Sequence, residues 1–170
     1  SKEIRKRPMI DLMNGVSKDF LKQAESISVN DTKTFSVLYS GNLGLAQDLN
    51  TILDAANLLK EYNIQFVFIG HGVCKEEVKK KAKTLDEKIK FLDPMERKKL
   101  IKYIKQSSVC LVPLKKRKLF HRALPSKMFE YMACAKPVIV GIDGEAKKIV
   151  KDSKSGMCVQ PENPEMLSKA

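Results

Sequence analysis

Residues 123–133 combine side chains that bind anions with one that binds hydroxyl groups. Pro125 and Ser126 predict the start of a helix, with Pro125 suited to the first helical position, Ser126 to the N-cap, and Lys127 next in the chain. A helix N-terminus and a lysine together bind anions, because the first backbone amides are unpaired and the helix dipole is positive there. Glu130 lies four residues after Ser126 and so on the same face of the helix. A carboxylate in that place can accept two hydroxyls, and a nucleotide sugar offers a ribose diol beside a pyrophosphate.

The same residues also fit a purely structural explanation. Lys127 and Glu130 are three residues apart, which is the spacing of an ion pair on a helix surface. Such pairs are common and contribute only a few tenths of a kcal/mol. Spacing alone therefore favours the surface pair, and the choice between pair and ligand site stays open at this point.

Two hydrophobic patterns alternate along the chain. Short continuous apolar runs predict strands, and apolar residues at three- and four-residue steps predict helices. The predicted strands are 34–39, 65–69, 89–92, 109–112, 138–142 and 157–159. The predicted helices are 17–26, one with Leu45, Leu49, Ile52, Ala56 and Leu59 on its apolar face, 75–83, 97–106, 126–134, 145–151 and one from 164 onward. Continuous apolar strands are buried on both faces, so we expect a doubly wound α/β domain with a mainly parallel, six-stranded sheet.

Two glycine turns follow the first two predicted strands, where ligands bind in doubly wound sheets. They are Gly41-Asn42-Leu43-Gly44 and Gly70-His71-Gly72. Glycine lets backbone amides approach a phosphate closely, although a tight turn alone also requires it. His71, and His121 in the basic segment 115–122, are loop histidines of a kind that is usually solvated. The sequence contains no Ser–His–Asp set, zinc-ligand spacing or close carboxylate pair that predicts catalysis.

Composition limits the classes of function. The 170 residues carry a net charge of +12, are 43% hydrophobic and contain 6% aromatic residues with no Trp. This surface attracts anions, so a basic module that binds nucleic acid or an anionic membrane is an alternative, although aromatic stacking platforms are few. No apolar run is long enough to span a membrane. The four cysteines are widely separated, so we expect no disulfide or metal site and a reducing compartment.

Several motifs resemble those of one family. The segment 39–44 (YSGNLG) resembles the family's Y-x-G-N-L-G turn, and 66–72 (FVFIGHG) resembles its strand ending in G-x-G. The segment 125–133 (PSKMFEYMA) with 136–139 (KPVI) resembles a P-S-K-x-F-E-Y-M-A and K-P-V-I pair, and 14–16 (NGV) resembles the N-G-V turn that follows the family's interdomain linker. Together they resemble the C-terminal, donor-binding domain of a GT-B-fold retaining glycosyltransferase of the group 1 type, as in bacterial cell-surface polysaccharide transferases.

The resemblance implies roles for individual residues. Glu130 corresponds to the second acid of the family's E-x7-E motif, which binds the ribose hydroxyls, whereas Arg122 stands where the first acid is expected. By the same correspondence, Gly41, Asn42 and Gly44 line the diphosphate, Ser126 and Lys127 meet the phosphates or sugar, and Leu92 with Asp93 lies at the base. The donor is a nucleotide-diphosphate sugar, and no metal, cofactor or nucleic-acid partner is expected. No residue is assigned as catalytic.

The resemblance also implies a domain organisation. Residues 1–30 correspond to a linker after an N-terminal acceptor domain, and 31–170 to the nucleotide-sugar-binding domain, ending before its C-terminus. We therefore expect a fragment that is inactive alone, of a cytoplasmic enzyme with peripheral contact at the inner face of the membrane. The acceptor is a glycan or a lipid-linked glycan that is bound by the other domain. A nucleotide-sugar epimerase half is a further alternative with the same fold, but it needs more acid–base carboxylates and histidines than this chain offers.

Overall fold

The computed structural model has one six-stranded sheet in which every neighbouring pair of strands is parallel. It describes residues 14–30, 34–85 and 88–170. In the order β3-β2-β1-β4-β5-β6, the strands are β1 Phe35–Ser40, β2 Ile64–Ile69, β3 Ile89–Leu92, β4 Val109–Pro113, β5 Val138–Gly141 and β6 Gly156–Cys158. The doubly wound, six-stranded α/β fold expected from the continuous apolar runs is confirmed.

Helices cover both faces of this sheet. They are α1 Lys18–Ser26, α2 Leu49–Leu58, α3 Lys75–Lys83, α4 Arg97–Gln106, α5 Ser126–Ala133, α6 Glu145–Ser153 and α7 Pro164–Lys169, with a 3-10 helix at Lys118–Arg122. One core packs buried side chains of α1, α4, α5 and α6 against the sheet, and the other packs those of α2 and α3, with α7 contributing Leu167. The bounds of α3 and α4 coincide with the predicted ones. No helix in the described residues is long and apolar enough to cross a membrane.

The predicted helix face beginning at Leu45 is wrong at its first residue. Leu45 is 69% exposed and precedes α2, which begins at Leu49. Asp48 adopts a left-handed conformation with φ of 42°, so the backbone turns immediately before the helix. The four-residue spacing of Leu45 and Leu49 therefore matched a helical period by coincidence.

The predicted first residue of the helix at 126–134 is confirmed for α5, but the predicted roles of Pro125 and Ser126 at its start are wrong. Pro125 occupies the N-cap with extended backbone angles, and Ser126 is the first helical residue, so its side chain does not cap the helix. By contrast, Ser17 caps α1 as its sequence predicts, accepting a hydrogen bond from the Phe20 amide at 3.1 Å. The predicted basic loop 115–122 contains the 3-10 helix in its second half.

Candidate functional site

The candidate site lies where the direction of strand addition reverses. From β1 the chain adds β2 and β3 on one side and β4 to β6 on the other, so β1 and β4 flank the switch point. Ser40 at the end of β1 is in register with Ile69 at the end of β2, which places the two following glycine turns side by side. Ligands of open α/β sheets bind in the crevice outside these carboxyl ends.

Backbone hydrogen bonds join the two glycine turns. The Gly41 amide donates to the Ile69 carbonyl at 2.8 Å, and the Leu43 amide donates to the His71 carbonyl at 2.7 Å. Gly70 has φ of 148°, and a Cβ there would lie 1.9 Å from the Gly41 carbonyl oxygen. The tight turn thus explains Gly70 by itself, because no larger residue fits this close approach.

Lys127 extends from the first turn of α5 to the first glycine turn. Its Nζ lies 3.9 Å from the centroid of the Tyr39 ring. A Cβ at Gly41 would be 2.8 Å from that Nζ, so the ammonium lies directly beside this glycine. Burial lowers the pKa of Lys127 to about 7, while the nearby carboxylate of Glu130 acts in the opposite direction.

Neither Lys127 nor Glu130 has a polar partner among the described side chains. Within the described ranges, the Lys127 ammonium has no hydrogen bond or ion pair, and the Glu130 carboxylate likewise has none. The surface ion pair suggested by their spacing is therefore not formed. A largely buried ammonium against a ring face, beside a half-buried carboxylate, leaves both charges available to a ligand that carries an anion and hydrogen-bond donors.

Tyr131 fixes α5 against the end of β1. Its hydroxyl accepts a hydrogen bond from the Ser40 amide at 2.8 Å and lies 3.0 Å from the Ser40 Oγ. Burial raises the pKa of Tyr131, so the hydroxyl is neutral. Because Lys127 lies one turn before Tyr131, this anchor sets the position of the ammonium over Gly41.

The other predicted site residues surround this centre. Asn42 is exposed, and its Nδ2 is 2.7 Å from where a Cβ of Gly44 would lie, so these two residues are adjacent. The Leu92 carbonyl accepts from the Gly70 amide at 3.1 Å, which joins the loop after β3 to the same edge. Ser126 is exposed at the start of α5.

Three further polar residues are placed in or beside the site by the tertiary structure. Tyr39 donates its hydroxyl to the Asn42 carbonyl at 2.5 Å. Gln47 has a buried Oε1 without a hydrogen-bond partner in the part of the chain that is described. Lys75 pairs with Asp93 at 2.5 Å, and this contact lowers the pKa of the Asp93 carboxyl. No local sequence signal distinguishes Gln47 or Lys75 from ordinary surface residues.

Arg122, at the position of the family's first acid, lies with His121 beside the candidate site. Arg122 and His121 are exposed at the end of the 3-10 helix, and the His121 carbonyl packs against Gly144. His71 is exposed and contributes its carbonyl to the turn. Within the described residues, no group of three or more His, Cys, Asp or Glu could hold a metal ion. The side chains shown here can bind an anion and hydroxyl groups.

Comparison with known proteins gives a consistent set of similarities. A model of the glycosyl transferases group 1 family matches residues 22–170. The probable glycosyltransferase WbjE of Pseudomonas aeruginosa is 29% identical over 136 residues, which cover 77% of this chain and 33% of WbjE. The chain spans about a third of the length of the curated relatives it matches.

Solved structures share the fold. A glycosyltransferase from Rickettsia africae ESF-5 superposes with a TM-score of 0.74 at 18% identity, covering 92% of this chain and 44% of that one. HepE of Anabaena, in complex with UDP and glucose, superposes with a TM-score of 0.67 at 17% identity, covering 91% of this chain and 42% of HepE.

Proposed function

The chain belongs to the glycosyl transferases group 1 family, and from that membership we propose that its carboxyl edge binds the nucleotide-diphosphate sugar donor of a sugar transfer. The observation that carries the proposal is the Lys127 ammonium, which is largely buried, has no polar partner among the described residues and lies beside Gly41. A diphosphate placed there receives a charge-assisted hydrogen bond from the ammonium and further ones from the first amides of α5. HepE, which shares the fold, binds UDP and glucose.

The remaining groups of the donor are assigned by position. Glu130 accepts the two ribose hydroxyls, since its carboxylate is free on the face of α5 that also carries Ser126. Gly41, Asn42 and Gly44 line the diphosphate, and Ser126 contributes its exposed hydroxyl to the phosphates or sugar. The base lies against Leu92 and the loop after β3. The donor is a substrate, and the proposal includes no metal and no further cofactor.

These residues act on the transfer by binding and orienting the leaving group. When the bond between the anomeric carbon and the phosphate oxygen breaks, negative charge develops on the departing nucleoside diphosphate. The Lys127 ammonium is already in place against that charge, so it stabilises the transition state without reorganisation. Four parts of the proposal rest on the motif resemblance alone. They are retention of configuration, a polysaccharide or lipid-linked acceptor, an acceptor domain outside residues 31–170, and peripheral membrane contact.

Substitution of Glu130 tests the proposal. We expect Glu130→Gln to weaken binding of the preferred nucleoside diphosphate by about tenfold to a hundredfold, or about 1–3 kcal/mol, because the amide has one acceptor and no charge. The ligand is chosen from UDP, GDP and ADP by thermal shift, and affinity is measured by calorimetry. Glu25→Gln on α1 makes the same chemical change at an exposed position and serves as the matched control.

A second ligand isolates the ribose contact. The 2′,3′-dideoxy form of the nucleotide lacks the diol, so it is expected to bind wild type and Glu130→Gln equally. Equal binding of the ordinary nucleotide to both proteins would remove Glu130 from the site. If heparin, DNA and every nucleotide raise the melting temperature of the wild type equally, the chain is a nonspecific anion-binding module and not a donor-binding domain.

A further inference from the structure

The first turn of α5 has backbone donors without an acceptor. Pro125 occupies the N-cap position, where it offers no side-chain oxygen to the helix. The Met128 amide donates to the Pro125 carbonyl at 3.0 Å, whereas the amides of Ser126 and Lys127 have no acceptor among the described residues. The first turn also contains no acidic side chain. Two free amides at the positive end of a helix dipole can bind a small oxyanion such as phosphate.

The Lys127 side chain places an amine beside these amides. Its Nζ lies 3.9 Å from the centroid of the Tyr39 ring and has no hydrogen bond or ion pair within the described ranges, while the residue remains partly exposed. Burial lowers the pKa of Lys127 to about 7, so about half of the molecules carry the neutral amine at neutral pH. A desolvated lysine amine is a nucleophile, because its lone pair is free to attack a carbonyl carbon.

Glu130 is the charged group that acts on this amine. Its carboxylate favours the ammonium, but burial has the larger effect on the pKa of Lys127. Burial raises the pKa of the Tyr39 hydroxyl on β1 and of the Tyr131 hydroxyl on α5, so both are uncharged at neutral pH. The turn at 41–44 contributes no titratable side chain. Amine and ammonium are therefore both populated near neutral pH.

We propose that Lys127 is acylated by small acyl phosphates and that this modification blocks donor binding. The phosphate binds the free amides of Ser126 and Lys127, and the acyl carbon attached to it then lies within reach of the Lys127 amine. An acyl phosphate combines, in one small molecule, the anion that the helix terminus binds and the electrophile that the amine attacks. The acylation depends on the amides and the amine, whereas its effect on the donor rests on the proposed function.

The reaction transfers the acyl group from oxygen to nitrogen. The lone pair of the Lys127 nitrogen forms a bond to the acyl carbon, the bond from that carbon to the phosphate oxygen breaks, and its electron pair leaves with the phosphate. The nitrogen releases its extra proton to water. The free amides of α5 stabilise the departing phosphate as its negative charge increases. The product is an uncharged amide, which can no longer provide a positive charge to the donor diphosphate.

Lys98 provides a matched reference within the same chain. Like Lys127, it is the second residue of a helix, and it has no hydrogen bond or ion pair with any described side chain. Unlike Lys127, it is exposed, so water solvates its ammonium freely. A comparison of the two lysines therefore separates the effect of burial beside the free amides from that of helix position.

Acetylation by acetyl phosphate tests the proposal. The chain is incubated with acetyl phosphate at about pH 7.5, and mass spectrometry measures the modified fraction of each lysine over time. We expect the rate at Lys127 to exceed that at Lys98 by about tenfold or more, because burial increases the neutral fraction of an amine. Excess inorganic phosphate, or the preferred nucleoside diphosphate, is expected to slow the reaction at Lys127 several-fold without affecting Lys98, since both ligands occupy the amides of α5.

Two comparisons separate phosphate-guided acylation from general lysine reactivity. The rate at Lys127 is expected to level off above about pH 8, whereas that of the model amine N-acetyl-lysine amide keeps rising toward about pH 10.4. The uncharged reagent N-acetoxysuccinimide has no phosphate, so its preference for Lys127 over Lys98 is expected to be several-fold smaller.

The effect on the donor site is measured on the same protein. Chain acetylated at Lys127 is expected to bind the preferred nucleoside diphosphate about tenfold more weakly, and Lys127→Gln is expected to show a similar loss. Lys98→Gln removes the same charge at the matched position and is expected to change the affinity less than about twofold. Circular dichroism verifies that the acetylated protein and both variants are folded.

Four results would overturn the inference: a rate at Lys127 no greater than that at Lys98, an equal preference for Lys127 with both reagents, no slowing by inorganic phosphate, or unchanged nucleotide affinity after acetylation. Calorimetry of the unmodified wild type tests the donor proposal separately. Selective acetylation of a chain that binds no nucleotide contradicts the donor proposal, and nucleotide binding without selective acetylation contradicts this inference alone.

Discussion

At the scale of single residues, Lys127 links the site to pH. Its ammonium is largely buried against the Tyr39 ring, and burial lowers its pKa from 10.5 to about 7. The carboxylate of Glu130 favours the protonated form of Lys127, and the Tyr39 hydroxyl stays neutral because burial raises its pKa. In the proposed complex the diphosphate favours the ammonium further, so we expect donor binding to be accompanied by proton uptake at this lysine near neutral pH.

Affinity and stability are therefore expected to change with pH in opposite directions. As pH rises above about 7, Lys127 loses its proton and nucleoside diphosphate affinity falls by up to about tenfold per pH unit. Between pH 7 and about 10.5, Lys127 is still protonated in the unfolded chain but has lost its proton in the folded one. The free energy of unfolding without ligand therefore rises with pH over this range. Calorimetry and denaturant unfolding across this range measure the two quantities.

Lys127→Met separates this effect from titration of the nucleotide and of other residues. The variant lacks the titrating group, so the difference between wild type and variant isolates Lys127 in both measurements. A wild-type affinity that has the same pH dependence as that of Lys127→Met would show that the ammonium does not contact the diphosphate.

At the scale of elements, the site depends on two loops that pack backbone against backbone. Gly70 and Gly72 have φ of 148° and 153°, and each approaches a carbonyl of the first glycine turn too closely for a side chain. The turn after β2 therefore supports the turn after β1, and Tyr131 holds α5 against the same strand end. The candidate phosphate site is thus assembled from three elements that are far apart in the sequence.

Gly70→Ala is expected to disturb both the fold and the site. The new Cβ would lie 1.9 Å from the Gly41 carbonyl oxygen, on a backbone conformation that alanine adopts only with strain. We expect the free energy of unfolding to fall by about 1–3 kcal/mol, together with weaker nucleotide binding as Gly41 moves. Chemical denaturation and calorimetry measure the two effects.

Gly15→Ala is the matched substitution for comparison. No atom lies within 4 Å of the Cβ it would add, and its backbone is not in the left-handed region. Its effect on stability is expected to be within about 1 kcal/mol and, if anything, favourable, because alanine restricts the unfolded chain. If Gly70→Ala proves as mild as Gly15→Ala, the close approach of the two turns is not required for the fold.

At the scale of the whole molecule, donor binding and sugar transfer are separable. The chain spans about a third of the length of its curated relatives, and transfer requires an acceptor held against the anomeric carbon with water excluded. We expect residues 1–170 alone to bind the nucleotide sugar but to transfer no sugar to glycan or lipid-linked acceptors. Mass spectrometry of the acceptor and chromatography of the released nucleoside diphosphate measure this. Transfer by the wild type that Glu130→Gln abolishes would show that this chain contains a complete active site.

Much of the fold could be predicted from the sequence because its signals are local. Continuous apolar runs identified the six strands, and helical periodicity gave the bounds of α3 and α4 to the residue. The failures were also local: Leu45 matched the helical period but lies before α2, and Ser126 resembled an N-cap although Pro125 holds that position. The spacing of apolar residues indicates which residues could lie on one face of a helix, but it does not indicate the residue at which the helix begins.

The sequence by itself determined the fold class, the position of the glycine turns at strand ends, and Glu130 and Lys127 as candidates on one helix. Only the tertiary structure decided that Lys127 and Glu130 do not pair and that the ammonium lies over Tyr39. It also decided that Tyr131 anchors to Ser40 across 91 residues of sequence. The physical reason is that such contacts depend on which strands become neighbours in the sheet. Strand order is set by the packing of the whole domain, and no local pattern of residue types specifies it.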